Sequence, residues 1–263
     1  MVSILVKANR IGDPVVLTSL DIDRYRAIVF DLDSTLIDTH RYPLVASEWF
    51  LSQSNVESSN EKKLFVRNLI TRYFTSIQNI VEGGEYITPF EIVKTAMADS
   101  LQDIGFYPDQ KLVHDATIYF RSLHIELASP YPGVEKMIES LATRGFKLGV
   151  LSNSFEGNSS KILENFDLLQ YFQAVVDCGD VEAYKPMKQP FSKVLEILNV
   201  DSSHALYVGD EYYADMVGAK TMNLTTVWIN NRNQSLEDFI AKYGSQNTPE
   251  YVTTSITEFA DML

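Results

Sequence analysis

Residues 27–36 read AIVFDLDSTL, and the fold turns on this stretch. Four apolar residues run without alternation and then break into two aspartates, Asp31 and Asp33. An unbroken apolar run of this length fits a strand buried on both faces, as in a parallel sheet covered by helices. Two carboxylates one residue apart at the end of such a strand crowd like charges where water is scarce. That arrangement needs a cation or a shared proton.

Moving outward, further apolar runs occupy 146–151, 174–176, 205–208 and 225–229. Helical patterns over 133–143, 159–166, 190–198 and 214–222 separate them. Strands alternating with helices of this length predict right-handed crossovers and an α/β fold: a Rossmann-like, doubly wound, mostly parallel sheet. Between 39 and 128 the rhythm changes to amphipathic helical patterns at 44–53, 61–77, 89–102 and 109–127, with breakers at 58–60, 83–84 and 105–108. The expected organisation is a core of residues 1–38 and 129–263 with an all-helical insertion, 39–128, flexing at 37–40 and 129–132. Residues 1–20 predict two short strands around Gly12-Asp13, an added edge hairpin.

Lys plus Arg number 22 and Asp plus Glu 35, a formal net charge of −13. A field of that sign repels nucleic-acid phosphates and anionic membranes, so neither is expected as a partner. If the ligand is an anion, a divalent cation is the natural means of reversing the field locally. The single cysteine, Cys178, allows no internal disulfide, which fits a reducing compartment. The opening MVSILVKANR breaks at Lys7, too early for a signal-peptide core, and no run of 18 uncharged apolar residues occurs. A cytoplasmic location is the expectation. Oligomeric state has no signature in the sequence.

In open parallel sheets ligands bind beyond the carboxyl ends of the strands. There the sequence places Asp31-Leu32-Asp33-Ser34-Thr35, then Ser152-Asn153-Ser154, then Lys185-Pro186, then Gly209-Asp210-Glu211 with Asp215 following. Each alone reads as a turn former, a helix cap or a solvated loop residue. Four strands delivering carboxylates, a hydroxyl and an ammonium to one edge do not. The histidines (His40, His114, His124, His204) lack metal-ligand spacing, and His114 and His124 read as surface or partly buried residues of one helix. Tyr212, Tyr213, Trp49 and Phe50 read as packing. The Glu82–Tyr86 segment is the candidate for inspecting a substrate.

These motifs resemble the haloacid dehalogenase (HAD) superfamily, in particular its phosphatases with a helical cap inserted after the first motif. FDLDSTL at 30–36 is similar to the family's Asp-x-Asp-x-Thr, LSNS at 151–154 to its second motif, Lys185 to its third, and VGDEYYAD at 208–215 to its fourth. The third motif departs from the family's Lys-Pro-x-Pro, reading Lys185-Pro186-Met187-Lys188-Gln189-Pro190. The resemblance implies a small-molecule phosphate ester as substrate, Asp31 as nucleophile and Asp33 as general acid and base. It implies Mg2+ on Asp31, the backbone carbonyl of Asp33 and Asp210, with Asp215 behind them. Ser152 and the Asn153 amide would hold phosphoryl oxygens, Lys185 would offset charge, and Thr35 would orient the loop. Alternatives within the same resemblance are a phosphomutase of the β-phosphoglucomutase type and a catalytically silent HAD-fold binding protein. A dehalogenase would not carry an acid at position 33.

Overall fold

A computed structural model describes residues 20–263. The expected hairpin lies outside the described residues, Leu20 excepted. In chain order the elements begin with β1 (Ala27–Phe30), β2 (Ile37–Asp38), α1 (Tyr42–Gln53), α2 (Ser59–Val81), α3 (Pro89–Asp103), α4 (Gln110–Glu126) and β3 (Ser129–Pro130). They continue with α5 (Val134–Thr143), β4 (Lys147–Ser152), α6 (Asn158–Asn165), β5 (Phe172–Asp177), α7 (Lys188–Leu198) and β6 (Ala205–Gly209). After β6 a π-helical turn, Tyr212–Val217, leads into α8 (Gly218–Lys220), then β7 (Thr225–Ile229), α9 (Leu236–Tyr243), β8 (Tyr251–Thr253) and α10 (Ile256–Ala260).

Six strands form one sheet in the order β5-β4-β1-β6-β7-β8, every pair parallel. This is the doubly wound architecture the alternating pattern predicts. Period-two geometry divides each strand between two cores. Ile28, Phe30, Leu148, Val150, Leu206 and Val208 face α5, α6 and α10. Ala27, Val29, Leu151, Val176 and Tyr207 face α7 and the turn after β6. Both faces are dry, which is why the strands read as unbroken apolar runs.

Helices α1–α4 lie between β2 and β3 and bury their own cluster, in which Phe50, Phe65, Met97, Leu101 and Phe120 meet. Each long helix starts on a side-chain cap: Ser58 accepts from the Glu61 amide, Thr88 from Glu91, and Asp109 from Lys111 and Leu112. The chain leaves and re-enters the sheet side by side, since β2 and β3 pair antiparallel with Ile37 opposite Pro130 and Asp38 opposite Ser129. No helix among the described residues is long and apolar enough to cross a membrane.

Two expectations change. The helix expected at 214–222 is a π-helical turn followed by one short α-turn, starting two residues early. The edge strand β8 and the two-residue strands β2 and β3 are additional to the apolar runs read from sequence.

Candidate active site

The carboxyl ends of β1, β4 and β6, with the loop after β5, converge on one buried cluster. Its centre is Lys185, whose side chain is 3% exposed. The ammonium lies 2.6 Å from Asp31 Oδ1 and 2.7 Å from Asp215 Oδ1, and donates to the Leu151 carbonyl at 3.0 Å. The Tyr207 hydroxyl, at 3.2 Å, is a fourth oxygen around it. Burial alone would lower this lysine's pKa; the charges of Asp215 and Asp31 reverse that and hold it well above the ordinary value.

Asp215 accepts from Lys185, from the Tyr207 hydroxyl at 2.9 Å and from the Glu211 amide at 2.9 Å. Gly209 makes room for it, because a Cβ there would collide with the Asp215 carboxylate. Asn153 brackets the lysine's backbone: its Oδ1 accepts from the Lys185 amide at 2.8 Å and its Nδ2 donates to the Lys185 carbonyl at 3.1 Å. Burial raises the Asp31 carboxyl above the usual carboxylate range, against the pull of Lys185. Asp210 is raised for the same first reason, with Asp31 and Asp215 adding to it and Arg232 opposing.

Carboxylate oxygens of Asp31, Asp210 and Asp215 lie within 4.8 Å of one another. Both Asp215 oxygens accept from close protein donors. Among the described residues, by contrast, no donor reaches Asp31 Oδ2 and only the long contact from Thr35 reaches Asp210 Oδ1, so these two oxygens are the ones left for a cation. Hard oxygen ligands of this kind suit Mg2+. Asp210 is held at its rim: Thr35 donates to Oδ1 at 3.4 Å, Trp228 Nε1 donates to its backbone carbonyl at 3.0 Å, and Arg232 pairs with Oδ2 at 2.7 Å.

Asp33 sits one step outward, with its side chain 31% exposed. Ser152 donates to its Oδ2 at 3.3 Å. His124, from α4, lies 2.6 Å from its Oδ1. This corrects the reading of His124 as a surface or partly buried residue: it is 1% exposed and packed against Tyr42 and Phe155. His114, on the same helix, is exposed as expected. Burial would raise the Asp33 carboxyl; the His124 imidazole together with bonds from Thr39 and Ser152 outweighs it and holds the group below its ordinary value.

A cavity of about 570 Å³ opens above these groups. Asp31, Asp33, Ser152, Asn153, Lys185 and Asp210 line its floor. Helix α2 lines its far wall, whereas no lining residue comes from the 82–86 loop expected to inspect a substrate. Phe50 is core and Tyr212 stacks on Phe239 at 4.6 Å, both as expected, but Tyr213 lines the cavity. Two residues at the site escaped the sequence reading. Arg232 follows the end of β7, so the strand-end rule applied to that fifth run would have found it. His124 offered no such signal, because only the docking of α4 brings it to Asp33.

The profile of the family described as haloacid dehalogenase-like hydrolase matches residues 28–229. Phosphoglycolate phosphatase of Aquifex aeolicus is 31% identical over 189 residues, covering 70% of this chain and 76% of that protein. Pyrophosphatase PpaX of Halalkalibacterium halodurans is 24% identical, covering 90% of this chain and 95% of its own. Among solved structures, the HAD-hydrolase YfnB of Bacillus subtilis, bound to magnesium, superposes with a TM-score of 0.69 at 24% identity, over 91% of this chain and 99% of that one. A parallel sheet that gathers Asp31, Lys185 and Asp210 at one edge and a profile spanning most of the chain agree: the protein belongs to the haloacid dehalogenase-like hydrolase family.

Proposed function

We propose that the protein is a magnesium-dependent phosphatase that hydrolyses a small-molecule phosphomonoester through an aspartyl-phosphate on Asp31. One observation carries the reading: Asp31, buried and flanked by Lys185, borders a cavity shared with a second carboxylate two residues on, Asp33. The phosphatase names of the Aquifex and Halalkalibacterium relatives support it, as does the magnesium in the Bacillus structure.

An Asp31 oxygen attacks phosphorus, and the bond to the leaving oxygen breaks. Asp33 must first take up a proton, which the negative charge of the bound phosphate favours against the lowering effect of His124. It gives that proton to the leaving oxygen, the alcohol departs, and Asp33 then takes a proton from the water that attacks the acyl phosphate. Release of inorganic phosphate restores the Asp31 carboxylate. The Ser152 hydroxyl and the Asn153 amide hold phosphoryl oxygens, and Lys185 offsets the charge gathered beside Asp31. Asp215 holds Lys185 in place rather than touching phosphate. A magnesium ion bound by Asp31, the Asp33 carbonyl and Asp210 would supply charge neutralisation of the phosphoryl group. Residues 39–128 serve as the cap, between a core of 1–38 and 129–263.

Phosphate release from p-nitrophenyl phosphate tests the assignment. Chelation should abolish it, and Asp31→Asn should remove turnover while leaving the fold intact. Full activity in excess chelator, or more than about one-tenth of activity in Asp31→Asn, a loss under ~1.4 kcal/mol, would overturn it.

A further inference from the structure

The floor of the cavity addresses a phosphoryl group, so the alcohol must face what lies opposite. Opposite is helix α2, which presents Leu69, Ile70, Tyr73, Phe74 and Ile77 to the cavity. Their spacing puts them on one helical face. Ile70 and Phe74 remain 49% and 54% exposed, a cost the isolated protein bears unless something covers them. None of the lining residues from α1 to α4 is charged.

The cavity's cations all belong to the core, and two of them are engaged. Lys185 is shared by Asp31 and Asp215, and Arg232 by Asp210 and Glu211. The third, Lys242, is an exposed residue of α9 whose ammonium lies 4.9 Å from the centre of the Tyr243 ring, at the rim. A leaving group bearing a carboxylate or a second phosphate and seated on this wall would press that charge against aliphatic and aromatic side chains that include no cation, since Lys242 stands at the rim on the core side. The net charge of −13 opposes it further. An apolar body would cover Ile70 and Phe74 and displace water from them. A cavity of about 570 Å³ falls in the range that encloses a ligand much larger than a two-carbon acid.

We propose that the ester cleaved here has an uncharged leaving alcohol with a largely apolar body, seated on Ile70 and Phe74. The proposal rests on the phosphatase reading above, and it separates this chain from the substrates for which its two named relatives are called.

The test compares 1-naphthyl phosphate with 2-phosphoglycolate and pyrophosphate, each with magnesium, by phosphate release. The expected result is a kcat/KM at least about tenfold higher for the naphthyl ester. Replacing both exposed side chains, Ile70→Ala with Phe74→Ala, should shrink that ratio by about tenfold; because both are exposed, the double variant should fold. A Lys242→Ala variant should not alter the order of the three substrates. Equal or better use of phosphoglycolate or pyrophosphate overturns the proposal, as does a ratio insensitive to the double variant. If no ester turns over, the phosphatase reading fails by itself. The class is then decided by calorimetric binding of 1-naphthylmethylphosphonate against phosphonoacetate: tighter binding of the first supports it, and equal or tighter binding of the second overturns it.

Discussion

Asn158 settles how His124 meets Asp33. Its Oδ1 accepts from Arg121 Nε at 3.4 Å and its Nδ2 donates to the Arg121 carbonyl at 3.1 Å, so the amide cannot be turned over without opposing like groups. That same Nδ2 lies 3.0 Å from His124 Nδ1, which must therefore accept. The ring proton is on Nε2, and Nε2 donates to Asp33 Oδ1. A residue of α4 thereby fixes the orientation of the carboxylate assigned to proton transfer. His124→Phe keeps the ring volume but removes both nitrogens. It should lower kcat by about tenfold or more with little change in KM, and destabilise by about 1–3 kcal/mol because buried polar groups lose partners. His124→Gln presents one donor and one acceptor and should recover part of kcat. Steady-state kinetics beside urea unfolding separates the two effects; equal kcat in the Phe and Gln variants would show that the hydrogen bond is idle.

At the scale of elements, Asp177 ends β5 and ties it to the start of α6. Its Oδ2 accepts from the Gly157 amide at 2.9 Å, its Oδ1 from the Ser159 hydroxyl, and its own amide donates to Asp180 at 2.8 Å. Burial pushes this carboxyl up to about 6 from 3.8, against the lowering effect of the Ser159 and Gly157 bonds. The native state therefore keeps a proton that the unfolded chain has already released. Stability contributed by protonated Asp177 is whole below about pH 4, falls as pH rises through about 6, and is flat above, a span of about 3 kcal/mol. Asp177→Asn should remove that slope. Urea unfolding at pH 4.5 and 7 is the check, and a wild-type minus variant difference that stays constant would refute the assignment. The same strand shows what sequence could disclose. The apolar run at 174–176 revealed β5, and 225–229 matched β7 to the residue, because burial on both faces leaves an unbroken signal. Tyr251–Thr253 is a three-residue strand at the sheet's edge and left too short a pattern. The β2–β3 ribbon depends on pairing across the 90 residues between Asp38 and Ser129, which no local pattern encodes. At the site, Asp31, Ser152 and Asp210 were legible because strand ends mark them, whereas Lys185, eight residues beyond β5, was legible through its place in the motif order. His124 and the α2 wall belong to how one group of helices sits on the sheet.

That seating is a property of the whole molecule, held by hydrogen bonds and by a cluster in which Ile77, Ile80 and Ile92 pack on Cys178 and Tyr184. Arg121 donates to the Glu156 carbonyl and Tyr184 to the Ile87 carbonyl at 2.7 Å, while Tyr73 reaches the Asn153 carbonyl at 3.4 Å. A second apolar link is Phe155, which belongs to the loop after β4 yet packs in the core of α1–α4, 4% exposed. Its ring meets Phe120 edge-on at 6.2 Å and lies 6.1 Å from His124. This side chain joins the segment that follows Ser152 and Asn153 to the helices that carry His124. Phe155→Ala would leave a void between the two layers that neither can close alone, at a cost of about 3–5 kcal/mol. The loss should differ from that of a truncation inside one core. Phe65→Ala, wholly within α1–α4, should lower stability by a similar amount and leave the floor of the site intact. Phe155→Ala should lower stability and also turnover, because it loosens the packing beside His124 that helps to register the ring against Asp33. Urea unfolding of both variants, with phosphate release measured well below the unfolding transition, distinguishes them. Equal turnover in the two would mean that Phe155 only fills space.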